Sequence, residues 1–253
     1  MRRNALRAKR RIVLVNMIEN RILYEDNHII IYNKRPGEIV QGDKTGDEPL
    51  VETLKQFIKH RDAKPGAVFL GVVHRLDRPV GGVVIFAKTS KALSRLNEML
   101  RLGQIHKTYW ALTRGVPPQQ QGELTHFITT VERINKSTAH LGPKPGAKEA
   151  RLRYNLLAQG ENFNLLEINL LTGRKHQIRV QLSAIGCPIR GDLKYGDKRS
   201  NPDGSISLLA RHIEFEHPVK HIPISITAPV PDERLWLELA HAAEQSQTLS
   251  SND

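Results

Sequence analysis

The chain has 253 residues, of which 39% are hydrophobic and 25% charged, so it fits one large domain or two small ones and is not wholly disordered. Its longest apolar runs are far too short to span a bilayer, and charges throughout the first eleven residues argue against a signal segment. The single cysteine, Cys187, excludes a disulfide within the chain and fits a reducing cytoplasm, where we expect the protein to act.

The excess of positive charge is the first indication of a partner. Lys and Arg total 38 against 26 for Asp and Glu, which gives a net charge of +12. Polyanions bind such proteins through counterion release, and no basic amphipathic helix with a large apolar face favours a membrane surface instead. Composition therefore favours nucleic acid, and a merely soluble basic protein is the alternative.

The predicted elements mix many short strands with few helices. In chain order they are a hairpin at 22–33, a helix at 50–59, a buried strand at 82–88, a helix capped by Thr89 or Ser90, strands near 106–114, 122–128, 131–140, 148–158 and 163–171, a helix from about His176 to Ile185, and strands near 206–217 and 222–228. This pattern predicts an α+β domain at 21–240. A basic arm at 1–20 precedes it and a disordered polar tail at 241–253 follows.

The most informative segment is a charged turn, HRLDR at 74–78, between apolar runs at 68–73 and 83–87. Two arginines flank Asp77 there. Nearby positive charge favours an ionised carboxylate, which a nucleophile or a general base requires. The alternative is an exposed charged turn without a catalytic role.

A second informative segment is TGRKHQIR at 172–179, where an alternating strand runs into a glycine turn and a predicted helix. Lys175 and Arg179 are four residues apart, so we expect them on one helix face. Positive charge at a helix start is unfavourable for the helix dipole. The pattern therefore indicates anion binding, either of phosphate or of a carboxylate such as Asp77.

A third segment, HKTYWA at 106–111, carries two of the few aromatic residues of the chain. Strand alternation puts Tyr109 and Trp110 on opposite faces. Core packing is the simpler explanation for such residues, and it fits Trp110 better than Tyr109.

The order of these motifs resembles the RluA class of pseudouridine synthases, which modify ribosomal or transfer RNA. The matching segments are HRLD at 74–77, KTYWA at 107–111, TGRKHQIR at 172–179 and GDLKYG at 191–196. The opening segments LYED at 23–26 and NKRPG at 33–37 and the closing pairs at 217–218 and 228–229 also match, so the resemblance covers about residues 20–232. Several motifs in the right order are far more specific than any one alone.

The resemblance implies an α+β fold with a mixed, mainly antiparallel sheet and a central cleft flanked by helices. It implies that specific uridines are isomerised by glycosidic bond cleavage, base rotation and C–C bond formation. Asp77 matches the catalytic aspartate, Tyr109 the tyrosine that packs on the target base, and Arg179 the arginine that pairs with the aspartate. We expect a monomer with RNA as its partner, no membrane and no cofactor. A catalytically silent RNA-binding or chaperone protein on the same fold is the alternative.

The RNA-binding residues that we expect are the cations of these motifs. They are Arg75, Arg78, Lys107, Arg174, Lys175 and His176. A metal is not expected, because His212, His217 and His221 lie on a predicted strand and turn without the spacing of a tetrahedral site.

The chain departs from the family pattern in three places. Val80-Gly81-Gly82 stands where the family usually has Thr-Ser-Gly, and Leu208-Leu209-Ala210 stands where many relatives have Leu-His-Ala. About twenty residues precede the core, too few for the S4 RNA-binding domain of many relatives. We interpret the basic arm as a substitute that grips phosphates, and a solvated tail without a role is the alternative. The cations of this arm are Arg2, Arg3, Arg7, Lys9, Arg10 and Arg11.

Overall fold

A computed structural model describes residues 16–43 and 46–250, with only the backbone given for 247–250. Most of the predicted basic arm, residues 1–15, lies outside the described residues, while residues 16–19 are helical. No helix within the described ranges is long and apolar enough to cross a membrane. The basic arm and the bounds of the domain stay predictions.

The described residues form one sheet of eleven strands. In chain order these are β1 (Ile22–Glu25), β2 (Ile29–Lys34), β3 (Gly71–Val72), β4 (Gly81–Ala87), β5 (His106–Thr113), β6 (Gln121–Val131), β7 (Lys136–His140), β8 (Lys148–Gln159), β9 (Asn164–Leu170), β10 (Leu208–Glu216) and β11 (Pro223–Thr227). The order across the sheet is β1-β2-β4-β10-β5-β9-β8-β6-β7, with β3 paired to β4 and β11 to β10. Among the described strands, only β4 and β10 pair in parallel.

Besides the short helical stretch at 16–19, four helices flank this sheet in the part of the chain that is described. They are α1 (Leu50–Arg61), α2 (Ser90–Arg101), α3 (Gln177–Ala184) and α4 (Arg234–Ser250). Short 3-10 turns lie at Glu132–Ile134 and Leu193–Tyr195. As predicted, Thr89 caps α2, because its hydroxyl accepts a hydrogen bond from the Ala92 amide at 3.2 Å. The many strands and few helices confirm the predicted α+β class.

Strand β4 is buried along its whole length, as its unbroken apolar sequence predicts. Val84 and Phe86 face the main core, which α1 and α3 cover, while Ile85 faces a second core beneath α2. The sheet places β10 between β4 and β5. The turn that precedes β4 and the aromatic residues of β5 are therefore brought to neighbouring parts of the molecule.

The C-terminal segment differs from the sequence-based expectation of a disordered tail at 241–253. Helix α4 continues through Ser250, and Trp236, Leu239 and Ala243 are buried against β8 and β9. These three residues recur at helical spacing, which packs one face of α4 on the sheet. The sequence did not predict this helix, because the residues that follow Ala243 are mostly polar and the apolar face is confined to the residues up to Ala243.

Candidate active site

Asp77 lies in the turn between β3 and β4, and a buried lysine shapes that turn. The ammonium of Lys34 donates hydrogen bonds to the carbonyl oxygens of Val80 at 2.6 Å, Arg78 at 3.1 Å and Asp77 at 3.4 Å. The amide of Val80 also donates to the carbonyl of Asp77 at 3.0 Å. Burial lowers the pKa of Lys34 to about 8. Lys34 thus replaces the water that these carbonyls would otherwise need.

The half-buried carboxylate of Asp77 meets a guanidinium from α3. Arg179 Nη1 donates to Asp77 Oδ2 at 2.9 Å, across 102 residues of sequence. This is the ion pair expected between the two residues, and it joins the first and second motifs. Asp77 Oδ1 has no hydrogen-bond partner among the described residues.

Asp192 holds Arg179 from the opposite side. Arg179 Nε and Nη2 donate to its two carboxylate oxygens at 2.6 Å and 2.8 Å, and both side chains are buried. The guanidinium also lies 5.0 Å from the ring centroid of Tyr195. Burial alone would lower the pKa of Arg179, but the two carboxylates raise it, so the guanidinium stays charged. A bidentate pair of this kind fixes the plane of the guanidinium that Asp77 contacts.

The turn before α3 differs from the prediction and separates two cations. His176 has a left-handed backbone with φ of 56°, so α3 begins at Gln177 and not at His176. The Gln177 side-chain oxygen closes the turn by accepting from Thr172 Oγ1 at 2.8 Å and from the Arg174 amide at 2.9 Å. Lys175 therefore precedes the helix and is exposed while Arg179 is buried, and the expectation that they share a helix face is wrong.

His176 is buried between a carboxylate and a phenol. Its Nδ1 lies 2.7 Å from the Tyr195 hydroxyl, and its Nε2 lies 3.7 Å from Asp77 Oδ2. The Tyr195 hydroxyl accepts a hydrogen bond from the Ser137 amide at 2.8 Å. Because the His176 ring is buried and its nitrogens face protein groups, the structure does not favour the RNA-binding role predicted for it.

Strand β5 brings Tyr109 to the site. Tyr109 is buried, and its burial and the charge of Asp77 raise its pKa, so the phenol stays protonated at neutral pH. Trp110 points to the other face, where the guanidinium of Arg211 lies 4.7 Å from its ring centroid. Trp110 is only half-buried, so the expectation that it is the better core residue of the two is wrong.

The cations predicted to bind RNA differ in exposure and in partners. Arg75 is exposed and has no ion pair within the described ranges, whereas Arg78 pairs with Asp47 at 2.6 Å. Lys107 is half-buried on the same strand as Tyr109, and burial lowers its pKa.

Arg174 and Lys175 lie on the exposed turn before α3. Arg174 Nε donates to the carbonyl of Glu149 at 2.8 Å, and Lys175 Nζ lies 2.6 Å from the carboxylate of Glu132. Since both partners are at the surface, these contacts are weak and RNA phosphates can replace them. Exposure therefore favours Arg75, Arg174 and Lys175 as contacts for a polyanion.

Three residues of the site were not assigned a role from the sequence. Asp192 and Tyr195 lie in the GDLKYG segment, and Lys34 lies in the NKRPG segment, so both segments were recognised as motifs. A lysine among apolar strand residues was the available signal for Lys34, because a buried cation needs partners. No local sequence pattern predicts that Asp192 pairs with Arg179.

The three histidines considered as metal ligands, and the cysteine, contact groups outside this site. His212 Nε2 is 3.0 Å from Glu214, His217 Nε2 is 3.0 Å from Asp26, and His221 Nδ1 is 2.6 Å from Glu216. Across the described ranges, no three His, Cys, Asp or Glu side chains converge as metal ligands. Cys187 is buried, as expected, and burial raises the pKa of its thiol.

Comparisons with known proteins show which family this sequence resembles. A family model described as RNA pseudouridylate synthase matches residues 28–184. The ribosomal large subunit pseudouridine synthase D of Xylella fastidiosa is 35% identical over 240 residues, which cover 89% of this chain and 70% of that protein. The ribosomal large subunit pseudouridine synthase C of Buchnera aphidicola is 36% identical over 222 residues, which cover 85% and 68%.

A solved structure shows the same fold. The human protein "RNA Pseudouridylate Synthase Domain Containing 4" superposes with a TM-score of 0.75 and 24% identity, and the match covers 92% of this chain and 96% of that chain. The predicted mainly antiparallel fold is therefore confirmed.

Proposed function

Because the chain belongs to the RNA pseudouridylate synthase family, we propose that it isomerises selected uridines of ribosomal or transfer RNA to pseudouridine. The observation that carries the proposal is the ion pair of Asp77 with Arg179 at 2.9 Å. It unites the aspartate of the first motif with the arginine of the second, beside Tyr109 of the third. A module that only binds RNA has no need of this combination.

The reaction makes and breaks one bond at the sugar. The N1–C1′ bond of uridine breaks, the uracil turns, and a C5–C1′ bond forms while a proton leaves C5 and N1 gains one. The Asp77 carboxylate either attacks the sugar or removes a sugar proton as the uracil leaves. Both roles require a free oxygen, and Oδ1 is free of hydrogen bonds from the described residues.

Tyr109 and Arg179 have different parts in this proposal. The raised pKa of Tyr109 keeps its phenol neutral, so its ring packs on the turning uracil without adding negative charge beside Asp77. Arg179, fixed by Asp192, holds the Asp77 carboxylate in one position. The target base leaves its stack to reach Asp77, as is usual for enzymes that act on a base.

RNA phosphates bind the cations around the site. We assign this role to Arg75, Arg78, Lys107, Arg174 and Lys175, and phosphate contacts of this kind position RNA without reading its bases. We further propose that the protein acts as a monomer in the cytoplasm, away from membranes and without a cofactor. Its mass by sedimentation, with and without RNA, tests the monomer.

Pseudouridine mapping in cells tests the activity. RNA from a strain that lacks this chain is compared with RNA from strains that carry the wild type, Asp77→Asn or Asp232→Asn. Asp232 is exposed, so Asp232→Asn controls for the loss of a carboxylate. We expect at least one pseudouridine that depends on the wild type, returns with Asp232→Asn, and is absent with Asp77→Asn.

The purified proteins complete the test on an RNA fragment that contains the mapped site. Turnover should persist in EDTA, and Asp77→Asn should bind the fragment as the wild type does while forming no pseudouridine. A wild-type chain that binds RNA but leaves every uridine unchanged would support the silent RNA-binding alternative. Turnover by Asp77→Asn would remove Asp77 from the mechanism.

A further inference from the structure

His176 occupies a backbone conformation that few side chains adopt. Its φ of 56° and ψ of 22° lie in the left-handed region, where a residue other than glycine is strained, although histidine is among the less disfavoured. The neighbouring turn is held by Gln177 and not by the His176 side chain. The imidazole is therefore not needed to hold the turn, although its backbone is strained, so we ask what its ring contacts.

The hydrogen bonds of Tyr195 determine which nitrogen of His176 carries a proton. The Tyr195 oxygen accepts from the Ser137 amide at 2.8 Å, so its own proton must go to another atom. His176 Nδ1 lies 2.7 Å from that hydroxyl, within reach as its acceptor. When the hydroxyl donates to Nδ1, Nδ1 is unprotonated and the single proton of a neutral imidazole lies on Nε2.

The protonated nitrogen faces the same oxygen of Asp77 that Arg179 binds. His176 Nε2 is 3.7 Å and Arg179 Nη1 is 2.9 Å from Oδ2. Hydrogen bonds in active sites are often longer without substrate and shorten when it binds. Two donors on Oδ2 would leave Oδ1 as the oxygen that reacts.

We propose that Tyr195 fixes His176 as the tautomer protonated on Nε2, and that this N–H positions the Asp77 carboxylate with Oδ1 turned to the substrate. This extends the proposed function, since it takes Asp77 as the catalytic carboxylate. His176 and Tyr195 are positioning residues, because they act on the substrate only through Asp77. The same logic orients ligands elsewhere in proteins, where an outer hydrogen bond selects the tautomer of a histidine.

The charge state of His176 agrees with this geometry. Burial lowers its pKa to about 4, against the opposing effect of Asp77, and the positive charges of Arg179, Lys194 and Lys175 add to the lowering. The imidazole is therefore neutral at pH 7 and has one N–H to give.

Nitrogen NMR on the folded protein tests the tautomer without any assay of activity. In histidine labelled with 15N, the ring nitrogens of His176 should show an unprotonated Nδ1 and a protonated Nε2 at pH 7. Tyr195→Phe keeps the ring beneath Arg179 and removes only the hydroxyl, so it should allow both tautomers. A protonated Nδ1 in the wild type would overturn the proposal.

Kinetics on the mapped RNA fragment test the positioning role. Tyr195→Phe should lower kcat by about tenfold and change KM little, because the contact acts on the reacting group and not on RNA binding. His176→Gln, whose amide can still donate towards Asp77, should retain more activity than His176→Leu, which carries the same backbone strain. Equal activity of Gln and Leu variants, or a kcat of Tyr195→Phe equal to the wild-type value, would defeat the positioning role.

The two proposals fail in different ways. If the wild type forms no pseudouridine, or Asp77→Asn remains active, the proposed function fails, while the NMR result still reports the tautomer. If Asp77→Asn is inactive but the Tyr195 and His176 variants match the wild type, only the positioning role is lost.

Discussion

Arg179 connects two carboxylates because its guanidinium has donors on more than one edge. Nε and Nη2 bind Asp192, and Nη1 remains for Asp77. A lysine at this position has a single point charge and cannot hold a bidentate pair and a third contact in one plane. The buried pair with Asp192 therefore acts as the rigid support, and Asp77 is the group that it holds.

Lys34 offers a pH test of how the Asp77 turn is held. Burial lowers its pKa from 10.5 to about 8, so the unfolded chain binds this proton more tightly than the folded one. Below pH 8 both states carry the proton, and folding includes the cost of burying the charge. Between pH 8 and 10.5 the folded state loses the proton first, so the free energy of unfolding should rise with pH by up to about 3 kcal/mol.

The measurement is the difference in unfolding free energy between the wild type and Lys34→Met, from urea titrations across this pH range. The difference should grow in favour of the wild type as pH rises from 8 to 10.5. Lys91→Met, which removes an exposed ammonium on α2, controls for the loss of net charge. A difference that stays flat with pH would show that Lys34 is charged without penalty in the folded state.

The sequence predicted the reacting residues better than the residues that support them. Asp77, Tyr109 and Arg179 lie in motifs with a recognisable order, although their proximity came from the family resemblance and not from any local pattern. The contact of Arg179 with Asp77 spans 102 residues, and periodicity carries no information at that distance. The sequence also did not predict the left-handed backbone at His176, because this conformation is typical of glycine and uncommon for histidine.

At the level of elements, two departures from the family pattern meet in one strand pairing. Gly81 and Gly82 of β4 pair in parallel with Leu209 and Ala210 of β10. Gly82 has a φ of 112°, and a Cβ there would overlap the backbone of Ala210. The tight approach of the strands thus explains Gly82, the one glycine of this segment that the family pattern shares, whereas the departure at Leu209 needs a different explanation.

Leu209 fills the apolar cluster beneath α4. It is buried with Leu112, Leu165 and Trp236. A histidine here, as in the Leu-His-Ala of many relatives, would place polar nitrogens in that cluster. The departure therefore accords with the packing of α4, whose existence the sequence did not predict because polar residues dominate its C-terminal half.

Replacing Leu209 by histidine tests this account. Leu209→His should lower the free energy of unfolding by about 2 kcal/mol or more, because it buries an unpartnered polar ring and removes apolar contacts. Chemical denaturation measures the change, and Leu237→His on the exposed face of α4 is the matched control. Equal stabilities of the two variants would contradict the assignment of Leu209 to the core.

At the level of the whole molecule, charge is distributed unevenly along the chain. Six of the 38 Lys and Arg residues lie among residues 1–11, and without them 32 would remain against 26 Asp and Glu, a net charge of +6. Several cations within the described residues already have carboxylate partners, including Arg21, Arg61, Arg151 and Arg190. Residues 1–11, which lie outside the described residues, therefore carry half of the net positive charge.

Deleting residues 1–11 should weaken RNA binding in proportion to the phosphates that they contact. The slope of log affinity against log salt should fall by roughly 0.7 for each lost contact on single-stranded RNA, and the loss should be similar for all sequences. Turnover at saturating RNA should change little, because Asp77, Tyr109 and Arg179 remain. Fluorescence anisotropy over a salt series, with pseudouridine formation on the same RNA, measures both quantities.

A variant with residues 1–11 in scrambled order separates charge from sequence. It keeps all six cations, so its affinity and salt slope should match the wild type if the arm acts only through phosphates. Weak binding by the scrambled variant would indicate that the arm reads a particular RNA structure, and its loss would then alter which uridine is modified. An unchanged slope in the deletion variant would show that the arm is a solvated tail, and the cations around Asp77 would then account for the electrostatic part of RNA binding.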